Sequence, residues 1–360
     1  MSMKIRTLSL FTGGGGLDLG FSAAGFSIDL AIELDPYSCK TLEINENKKD
    51  FYNKTKVLNK DIKKVTTKEI KKEIGLENNS DKIDLIIGGP PCQAFSVFGK
   101  RCGLDDPRGN LIWDYLRIVK ELKPAVFIFE NVAGLKTIHN GELYIKLIEE
   151  LSCDGLYTVS DHNYEVANYG IPQFRNRIFF IGVKDGRRIP PMIQTHGEDG
   201  SLFELSPYVT VGKVLRNLPE PGNQSNLHNH KGRLHSNRII DRYKNLKYGE
   251  RDSKTRINKL NPNRPSYTII VGSDKGGGKG HVHPYTPREV TPRESARLQT
   301  FPDWWEFYGN GRHVIRQVGN AVPPLFAGLL AAHVKKHVFH EKQIPSYDDL
   351  INTLGLDFLK

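Results

Sequence analysis

The stretch that decides the fold is IRTLSLFTGGGGLDLGFSAAGF, residues 5–26. Its first seven residues predict a buried strand, and the segment LDLGFSAAGF predicts a helix. Four glycines lie between them. Glycines allow the backbone to approach a ligand closely, and the start of a helix offers free N–H groups. This strand–loop–helix unit therefore predicts a nucleotide-like ligand.

The same alternation continues outward from this unit. Further apolar runs predict strands, with helical patterns between several of them and again near the end of the chain. The predicted strands are 27–33, a run ending near 62, 83–89, 125–132, 157–165 and 177–183, and the predicted helices include 37–46, 110–123, 143–155 and 323–339. Alternating strands and helices predict an α/β fold of Rossmann-like type, with a mixed, mostly parallel sheet.

The composition supports an intracellular globular protein with a polyanionic partner. The chain has 360 residues, is 38% hydrophobic and carries a formal charge of +10. Its four cysteines show no zinc-type or disulfide spacing, so we expect no metal and a reducing cytoplasm. Neither a signal peptide nor a membrane-spanning run is present in the sequence given.

A basic stretch follows the alternating half. Residues 184–262 hold 15 lysines and arginines against 8 aspartates and glutamates, without regular βα alternation. We expect a smaller, loop-rich module that binds a polyanion, although an ordinary solvated surface has the same composition. The HNH and HVH triplets at 228–230 and 281–283 lack further metal ligands at useful spacing. They predict surface or phosphate-contacting histidines.

The glycine loop does not fit a dinucleotide-binding enzyme. The dehydrogenase fingerprint needs a third glycine, and either register places Leu19 or Asp18 there. Glu33 ends the second predicted strand, where a carboxylate can accept bonds from both hydroxyls of a ribose. Asp61, near the third strand, is placed to face an adenine amino group. These features favour S-adenosylmethionine over NAD.

Cys92 lies in GGPPCQAFS, residues 88–96. Pro90 and Pro91 end the preceding strand and place Cys92 on a stiff turn at its carboxyl end, where ligands bind in open parallel sheets. A free cysteine is usually a small buried hydrophobe. The alternative, a nucleophile, requires partner residues elsewhere in the chain.

Nine short motifs in one order resemble the DNA cytosine-5 methyltransferase family, of the prokaryotic restriction-modification type. They are FTGGGG (11–16), ELD (33–35), DI (61–62), GPPCQAFS (89–96), RGNL (108–111), ENV (130–132), QFRNR (173–177), RESARLQTFP (293–302) and GNAVP (319–323). The resemblance implies a sequence-specific methyltransferase that acts on a cytosine flipped out of double-stranded DNA.

The resemblance also implies the catalytic residues. The Cys92 thiolate would add to carbon 6 of the cytosine, which makes carbon 5 nucleophilic, and Glu130 would protonate or hydrogen-bond ring N3. Arg175 and Arg177 would contact the base carbonyl or these groups, with Arg175 favoured as nearer the base. The residues expected to contact DNA are Gln93, Ser96, Arg108, Arg233, Arg238 and Arg242. The base that removes the carbon-5 proton is not identified.

S-adenosylmethionine is the implied cofactor. Phe11 would stack on its adenine, the glycines would make room for its methionine part, and Glu33 would bind its ribose. The full set of expected cofactor residues is Phe11, Gly13, Gly15, Gly16, Glu33, Leu34, Asp61, Ile62, Pro91, Leu111, Asn320 and Val322. The loop has four consecutive glycines, where many relatives carry a bulkier residue among the glycines.

The expected organisation follows from these positions. Residues 1–184 would form the catalytic and cofactor-binding domain, 185–315 the target-recognition domain with a variable region at about 185–262, 316–340 a segment returning to the catalytic domain, and 341–360 a tail. We expect a monomer in the prokaryotic cytoplasm, working at the nucleoid. The alternatives are a tRNA cytosine-5 methyltransferase and a non-catalytic DNA-binding protein on the same scaffold.

Overall fold

The computed structural model describes residues 4–76, 82–91, 110–198, 204–222, 227–271 and 278–360. At positions 110, 137–140, 143, 270, 278 and 279 it describes the backbone alone. Within this described part no helix is long and apolar enough to cross a membrane.

A seven-stranded sheet forms the centre of the fold, with strand order β3-β2-β1-β4-β5-β7-β6. The pairs among β1 to β5 are parallel, whereas β7 runs antiparallel to both of its neighbours. The strands are β1 (Arg6–Leu10), β2 (Ser27–Glu33), β3 (Lys56–Asn59), β4 (Leu85–Gly88), β5 (Val126–Val132), β6 (Thr158–Glu165) and β7 (Asn176–Val183). The predicted mixed, mostly parallel α/β sheet is confirmed.

Helices cover both faces of this sheet because its strands are apolar on both sides. In β4, Leu85 and Ile87 belong to one hydrophobic cluster, and Ile86 between them belongs to the other. The helices are α1 (Gly16–Ala23), α2 (Pro36–Asn45), α3 (Thr67–Glu73), α4 (Asn110–Leu122), α5 (Glu142–Leu151), α6 (Val211–Leu215), α7 (Asn237–Asn245), α8 (Pro292–Leu298), α9 (Gly311–Asn320), α10 (Pro324–His337) and α11 (Tyr347–Leu354).

The strand order reverses direction between β1 and β4. From β1 the chain proceeds to β2 and β3 on one side, and β4 then begins the other side next to β1. In an open α/β sheet, such a switch point opens a crevice beyond the carboxyl ends of the strands. The glycine loop after β1 and the proline turn after β4 both start at this edge.

The end of the chain returns to the first helix. A Cβ atom on Gly20 of α1 would lie 2.3 Å from the Pro324 carbonyl oxygen and 2.5 Å from the Ala327 Cβ of α10. Glycine at position 20 therefore permits a very close helix approach. The final helix α11 begins with a capping box formed by Ser346 and Asp349. Its apolar residues belong to the same buried cluster as α1 and α10.

The described residues between β7 and α8 form short elements. They are β8 (His196–Gly197), β9 (Ser206–Pro207), α6, α7, β10 (Ile270–Val271) and β11 (Gly278–Lys279). Tyr243, Ile257 and Val282 form a small separate core here. Ala296 of α8 and Trp305, which precede the boundary expected at 315, also belong to the main core.

Candidate active site

The glycine loop lies directly beyond β1 and is bonded to the end of β2. The Gly13 amide donates to Glu33 Oε2 at 2.7 Å, and the Gly15 amide donates to the Thr12 carbonyl at 3.1 Å. Gly13 and Gly15 have φ values of +57° and +83°, which favour glycine. The loop thus carries the backbone from a buried strand into α1 while exposing one edge to the crevice.

The glycines of this loop serve two different purposes. A Cβ on Gly13 would meet no atom closer than 4.0 Å, so Gly13 faces open space where a ligand fits. A Cβ on Gly16 would lie 2.1 Å from the Val322 carbonyl oxygen, and one on Gly15 would lie 2.8 Å from the Trp305 ring. Gly15 and Gly16 thus also make room for the protein's own chain, at Leu42, Trp305 and Val322. The expected contact of all three glycines with the methionine part of the cofactor stays a prediction.

Gly14, within the run of four glycines, is also closely packed. A Cβ there would lie 3.2 Å from the Gln317 Cβ and 3.3 Å from the Phe307 ring. Gln317 is itself fixed, because its side-chain oxygen accepts from Thr41 Oγ1 at 2.6 Å. A bulkier residue at position 14 therefore needs a different arrangement of the α9 segment.

Glu33 is oriented by backbone donors at the end of β2. Besides Gly13, the amides of Leu34 and Asp35 each donate to Glu33 Oε1 at 2.8 Å. Burial raises the pKa of Glu33, and these hydrogen bonds oppose that change. Leu34 beside it is 62% exposed, which leaves an apolar surface next to the carboxylate.

The other residues expected to bind the cofactor differ in how far they are buried. Asp61 caps a short 3₁₀ helix by accepting from the Lys63 amide, and Ile62 after it is buried. Phe11 and Leu111 are partly buried against the α4 side of the core. From the far end of the chain, Val322 is buried against Gly16 and Asn320 is exposed.

These residues fit S-adenosylmethionine. The open face of Gly13 provides backbone contact, the buried Glu33 carboxylate provides an acceptor for ribose hydroxyls, and Leu34 and Phe11 provide apolar surface. Such a cradle, with a few polar groups among apolar ones, is typical of a small-molecule site.

The acid of the site lies at the end of β5. Arg177 Nε lies 3.0 Å from Glu130 Oε1, and both side chains are largely buried. Burial raises the pKa of Glu130, while the charges of Arg177 and Arg175 oppose that change. Burial helps Glu130 to hold a proton, and the arginines stabilise the carboxylate that forms when the proton leaves. A general acid requires both.

Arg175 occupies a different environment from Arg177. It is 1% exposed, and its Nε and Nη1 atoms have no hydrogen-bond partner in the structure described. Its amide donates to the Glu165 carboxylate at the end of β6. Burial and the nearby Arg177 charge lower the pKa of Arg175 to about 9, which Glu130 and Glu165 oppose. Arg177 is the arginine paired with Glu130, and the preference for Arg175 as nearer the base stays a prediction.

The turn after β4 is held against this acid. A Cβ on Gly89 would lie 2.7 Å from Glu130 Oε2, and Asn131 Nδ2 donates to the Pro90 carbonyl at 3.3 Å. Pro91, which follows, is exposed. Cys92 comes next in the sequence. The expected site residues Cys92, Gln93, Ser96 and Arg108 lie outside the described residues.

The three arginines expected to read DNA differ in their contacts. The Arg233 side chain is 70% exposed, with a contact of 3.8 Å to Glu289, and Arg238 is also exposed. Arg242 instead donates twice to Asp252, from Nε at 2.9 Å and from Nη2 at 3.0 Å. This bidentate pair holds the partly exposed Arg242 against Asp252, so Arg233 and Arg238 are better placed to reach a ligand.

The histidine triplets contain buried residues, which corrects the surface assignment. His230 is 1% exposed and bonds to Thr291 Oγ1 and the Pro219 carbonyl, and His281 and His283 are also buried. They stabilise loops around α8, and the described residues include no cluster of metal-binding type. Sequence reasoning also missed Asp18 and Glu165, since a single carboxylate carries no signal without its tertiary surroundings.

Several known proteins are similar to this chain. The family model for C-5 cytosine-specific DNA methylase matches residues 5–336. Type II methyltransferase M1.HphI of Haemophilus parahaemolyticus is 35% identical over 93% of this chain and 87% of its own length. Type II methyltransferase M.NgoFVII of Neisseria gonorrhoeae is 34% identical over 90% of this chain and 84% of its own length.

Solved structures share the architecture. One named as a DNA modification methyltransferase encoded within an E. coli prophage superposes with a TM-score of 0.75 at 29% identity, covering 94% of this chain and all of that one. The S. pombe Dnmt2 methyltransferase, at 18% identity and a TM-score of 0.58, covers 92% of this chain and 99% of its own and shares the fold. With the glycine loop, the buried Glu130–Arg177 pair and a family match across nearly the whole chain, the protein belongs to the C-5 cytosine-specific DNA methylases, which are S-adenosylmethionine-dependent enzymes.

Proposed function

We propose that the protein is the modification enzyme of a type II restriction-modification system, methylating one cytosine within a short sequence of double-stranded DNA. The Glu130–Arg177 pair carries this proposal, because it sets a buried acid beside the turn that leads to Cys92. The relatives named as type II methyltransferases support the biological setting. An intact acid and an intact nucleophile position both argue against a non-catalytic protein.

In the proposed mechanism Cys92 is the nucleophile. Its thiolate forms a bond to carbon 6 of the cytosine, and the ring electrons move toward N3 and carbon 5. Glu130 donates a proton to N3 as this charge develops, and Arg177 stabilises the carboxylate that remains. When bound, S-adenosylmethionine supplies the electrophilic methyl group. After carbon 5 has taken up the methyl group, a base removes the carbon-5 proton and the Cys92 thiolate is expelled. N3 returns its proton to Glu130, which restores the aromatic ring.

The cofactor roles follow the geometry of the crevice. Glu33 would bind the ribose hydroxyls, Gly13 would contact the methionine part, and Leu34 and Phe11 would enclose the adenine. Asp61, Ile62, Pro91, Leu111, Asn320 and Val322 would complete the pocket. Glu33 already accepts three backbone amides, and Oε2, which accepts one of them, keeps a lone pair for a ribose hydroxyl.

The DNA would lie against the basic segment. Residues 185–315 would form the recognition unit, and Arg233 and Arg238 are exposed there for phosphate or base contact. Since a cytosine inside a duplex is unreachable, the target would be flipped toward Glu130. We propose that one monomer serves each site, which size-exclusion chromatography of the protein–DNA complex would test.

Bisulfite sequencing of a plasmid incubated with the purified protein and S-adenosylmethionine tests this function. We expect protection of one cytosine in a single short motif. The Cys92→Ala variant should give no protection, and the Cys102→Ala variant should match the wild type. Trapping on DNA with 5-fluorocytosine should give a covalent adduct with the wild type and with Cys102→Ala, and none with Cys92→Ala. Methylation of tRNA and not of the plasmid would instead favour the tRNA enzyme.

A further inference from the structure

A second carboxylate lies buried beneath the glycine loop. Asp18 is in the first turn of α1 and is fully buried. Its Oδ1 accepts from Ser9 Oγ at 2.5 Å, and Ser9 Oγ in turn lies 3.0 Å from Thr12 Oγ1 of the loop. Thr12 immediately precedes Gly13, whose outer face is open to the crevice. Asp18 is thus connected through Ser9 and Thr12 to the place where the cofactor would bind.

Hydrogen bonds alone stabilise the charge of Asp18 among the described residues, from Ser9 and from a backbone amide. Its Oδ2 has no hydrogen-bond partner, and neither has the hydroxyl of the buried Tyr52. No lysine, arginine or histidine forms an ion pair with Asp18 within the described ranges. The charged group that faces it from β2 is Glu33, which disfavours a second negative charge. From the segment before β3, the titratable neighbour is Tyr52.

This environment makes the ionisation of Asp18 sensitive to a nearby charge. Burial raises the pKa of Asp18 to about 7, with the Ser9 hydrogen bond and a backbone hydrogen bond opposing the rise and Glu33 adding to it. The carboxyl is therefore divided between its two forms at neutral pH. A cation placed near the loop would favour the ionised form, because opposite charges attract strongly in a buried site.

We propose that ionisation of Asp18 is coupled to binding of the cationic cofactor, so that the site prefers S-adenosylmethionine, which carries a sulfonium, over its uncharged thioether product. This inference rests on the proposed function, since it takes the glycine loop as the cofactor site. Asp18 acts here as a positioning and charge-matching residue. It does not touch the reacting atoms.

The direction of the pH effect follows from linkage. If the bound cation lowers the pKa of Asp18, the complex holds fewer protons than the free protein, and affinity for the cation rises with pH. A decrease of about one unit would increase affinity about fivefold between about pH 6 and about pH 8. S-adenosylhomocysteine lacks the sulfonium and should show a much smaller change.

Calorimetric titration of the full-length protein with each ligand tests this coupling without requiring catalysis. For the wild type, we expect the ratio of the S-adenosylmethionine to the S-adenosylhomocysteine affinity to rise about fivefold across that range. The Asp18→Asn variant should show a flatter ratio, since the ligands' own amino groups titrate alike in every variant. Asp84→Asn is the matched control, because Asp84 is a buried carboxylate at the opposite end of β4.

A second variant, Ser9→Ala, tests the coupling even if the Asp18→Asn protein does not fold. Ser9→Ala removes the hydrogen bond that opposes the raised pKa of Asp18 while keeping the carboxyl, so the rise in the affinity ratio should move to higher pH. An Asp18→Asn protein that keeps the full wild-type rise would overturn the coupling, as would a wild-type ratio independent of pH. Absence of binding to either ligand would instead contradict the proposed function.

Discussion

Arg177 and Glu130 form a 3.0 Å ion pair diagonally across two antiparallel strands. Glu130 is opposite Phe179 and Arg177 is opposite Val132, so both side chains leave the sheet on one face. The antiparallel direction of β7 is essential to this contact, since it brings the start of β7 next to the end of β5. The single reversed strand therefore supplies the arginine of the acid site.

Replacing Glu130 with glutamine should slow methyl transfer by roughly 10²–10⁴-fold, because the amide cannot donate a proton to ring N3. Burial raises the pKa of Glu130, so the wild type should keep its protonated acid to higher pH than an exposed glutamate would. Single-turnover methylation across pH measures both effects. Glu121→Gln on α4 is the control, and equal rates for the two variants would contradict the assignment.

The two purposes of the loop glycines can be separated by alanine substitutions. Gly13→Ala should weaken S-adenosylmethionine binding, because its Cβ would enter the open face of the loop. Gly75 has a similar φ of +67° with nothing within 4 Å, so Gly75→Ala matches the backbone strain without the ligand. Calorimetry should show weaker binding for Gly13→Ala alone. Equal affinity for the two variants would argue against a cofactor contact at Gly13.

Gly16→Ala should instead lower the stability of the fold. Its Cβ would lie 2.1 Å from the Val322 carbonyl oxygen, so α1 and the segment before α10 must separate. Overpacking of this kind costs about 1–3 kcal/mol. Thermal unfolding followed by circular dichroism should show a lower Tm than for Gly75→Ala, which is strained but unobstructed. An unchanged Tm would mean that the C-terminal segment adapts freely.

The sequence predicted the sheet because its signals are local. The runs at 27–33 and 125–132 are apolar, and β2 and β5 match them closely. The helix α3 was missed because Thr67–Glu73 has one fully buried apolar residue, Ile70, and otherwise reads as a charged loop. The direction of β7 was covered only by the expectation of a mixed sheet, since strand direction is set by the connection and not by the strand's own residues.

The site was predictable to the extent that strand ends converge. Glu33 and Glu130 were placed correctly at strand ends, because carboxyl ends of parallel strands share one edge. The choice between Arg175 and Arg177 was not predictable, since it depends on which guanidinium faces β5. The close contact of Gly16 with Val322 joins distant parts of the chain, and no local pattern indicates it.

Arg233→Ala and Arg242→Ala should separate DNA contact from stability. Arg233 is 70% exposed, so its loss should weaken DNA binding and reduce the slope of log K against log salt by about 1. Arg242 holds Asp252 and lowers the pKa of that carboxyl. The Arg242–Asp252 pair therefore adds to the free energy of unfolding above the ordinary pKa of an aspartate. This contribution is lost as the pH falls from that value toward the lowered pKa of Asp252.

The Arg233→Ala and Arg242→Ala variants are compared by DNA binding over a salt series and by thermal unfolding at neutral and acidic pH. Arg242→Ala should lower the Tm at neutral pH, and the difference from the wild type should shrink in acid as Asp252 becomes protonated. Arg233→Ala should leave the Tm unchanged at both. If Arg242→Ala changed the salt slope and Arg233→Ala lowered the Tm, both assignments would be wrong.

The tail beyond residue 340 should contribute measurably to stability. Leu350 and Leu354 of α11 are fully buried, and a Cβ on Gly328 of α10 would lie 2.9 Å from a Leu350 methyl carbon. Leu354→Ala should destabilise the fold by about 2–5 kcal/mol, since a buried leucine leaves a cavity. Chemical denaturation measures this, with the exposed Ile344→Ala as control. Equal stability of the two variants would show that α11 packs too loosely to support α10.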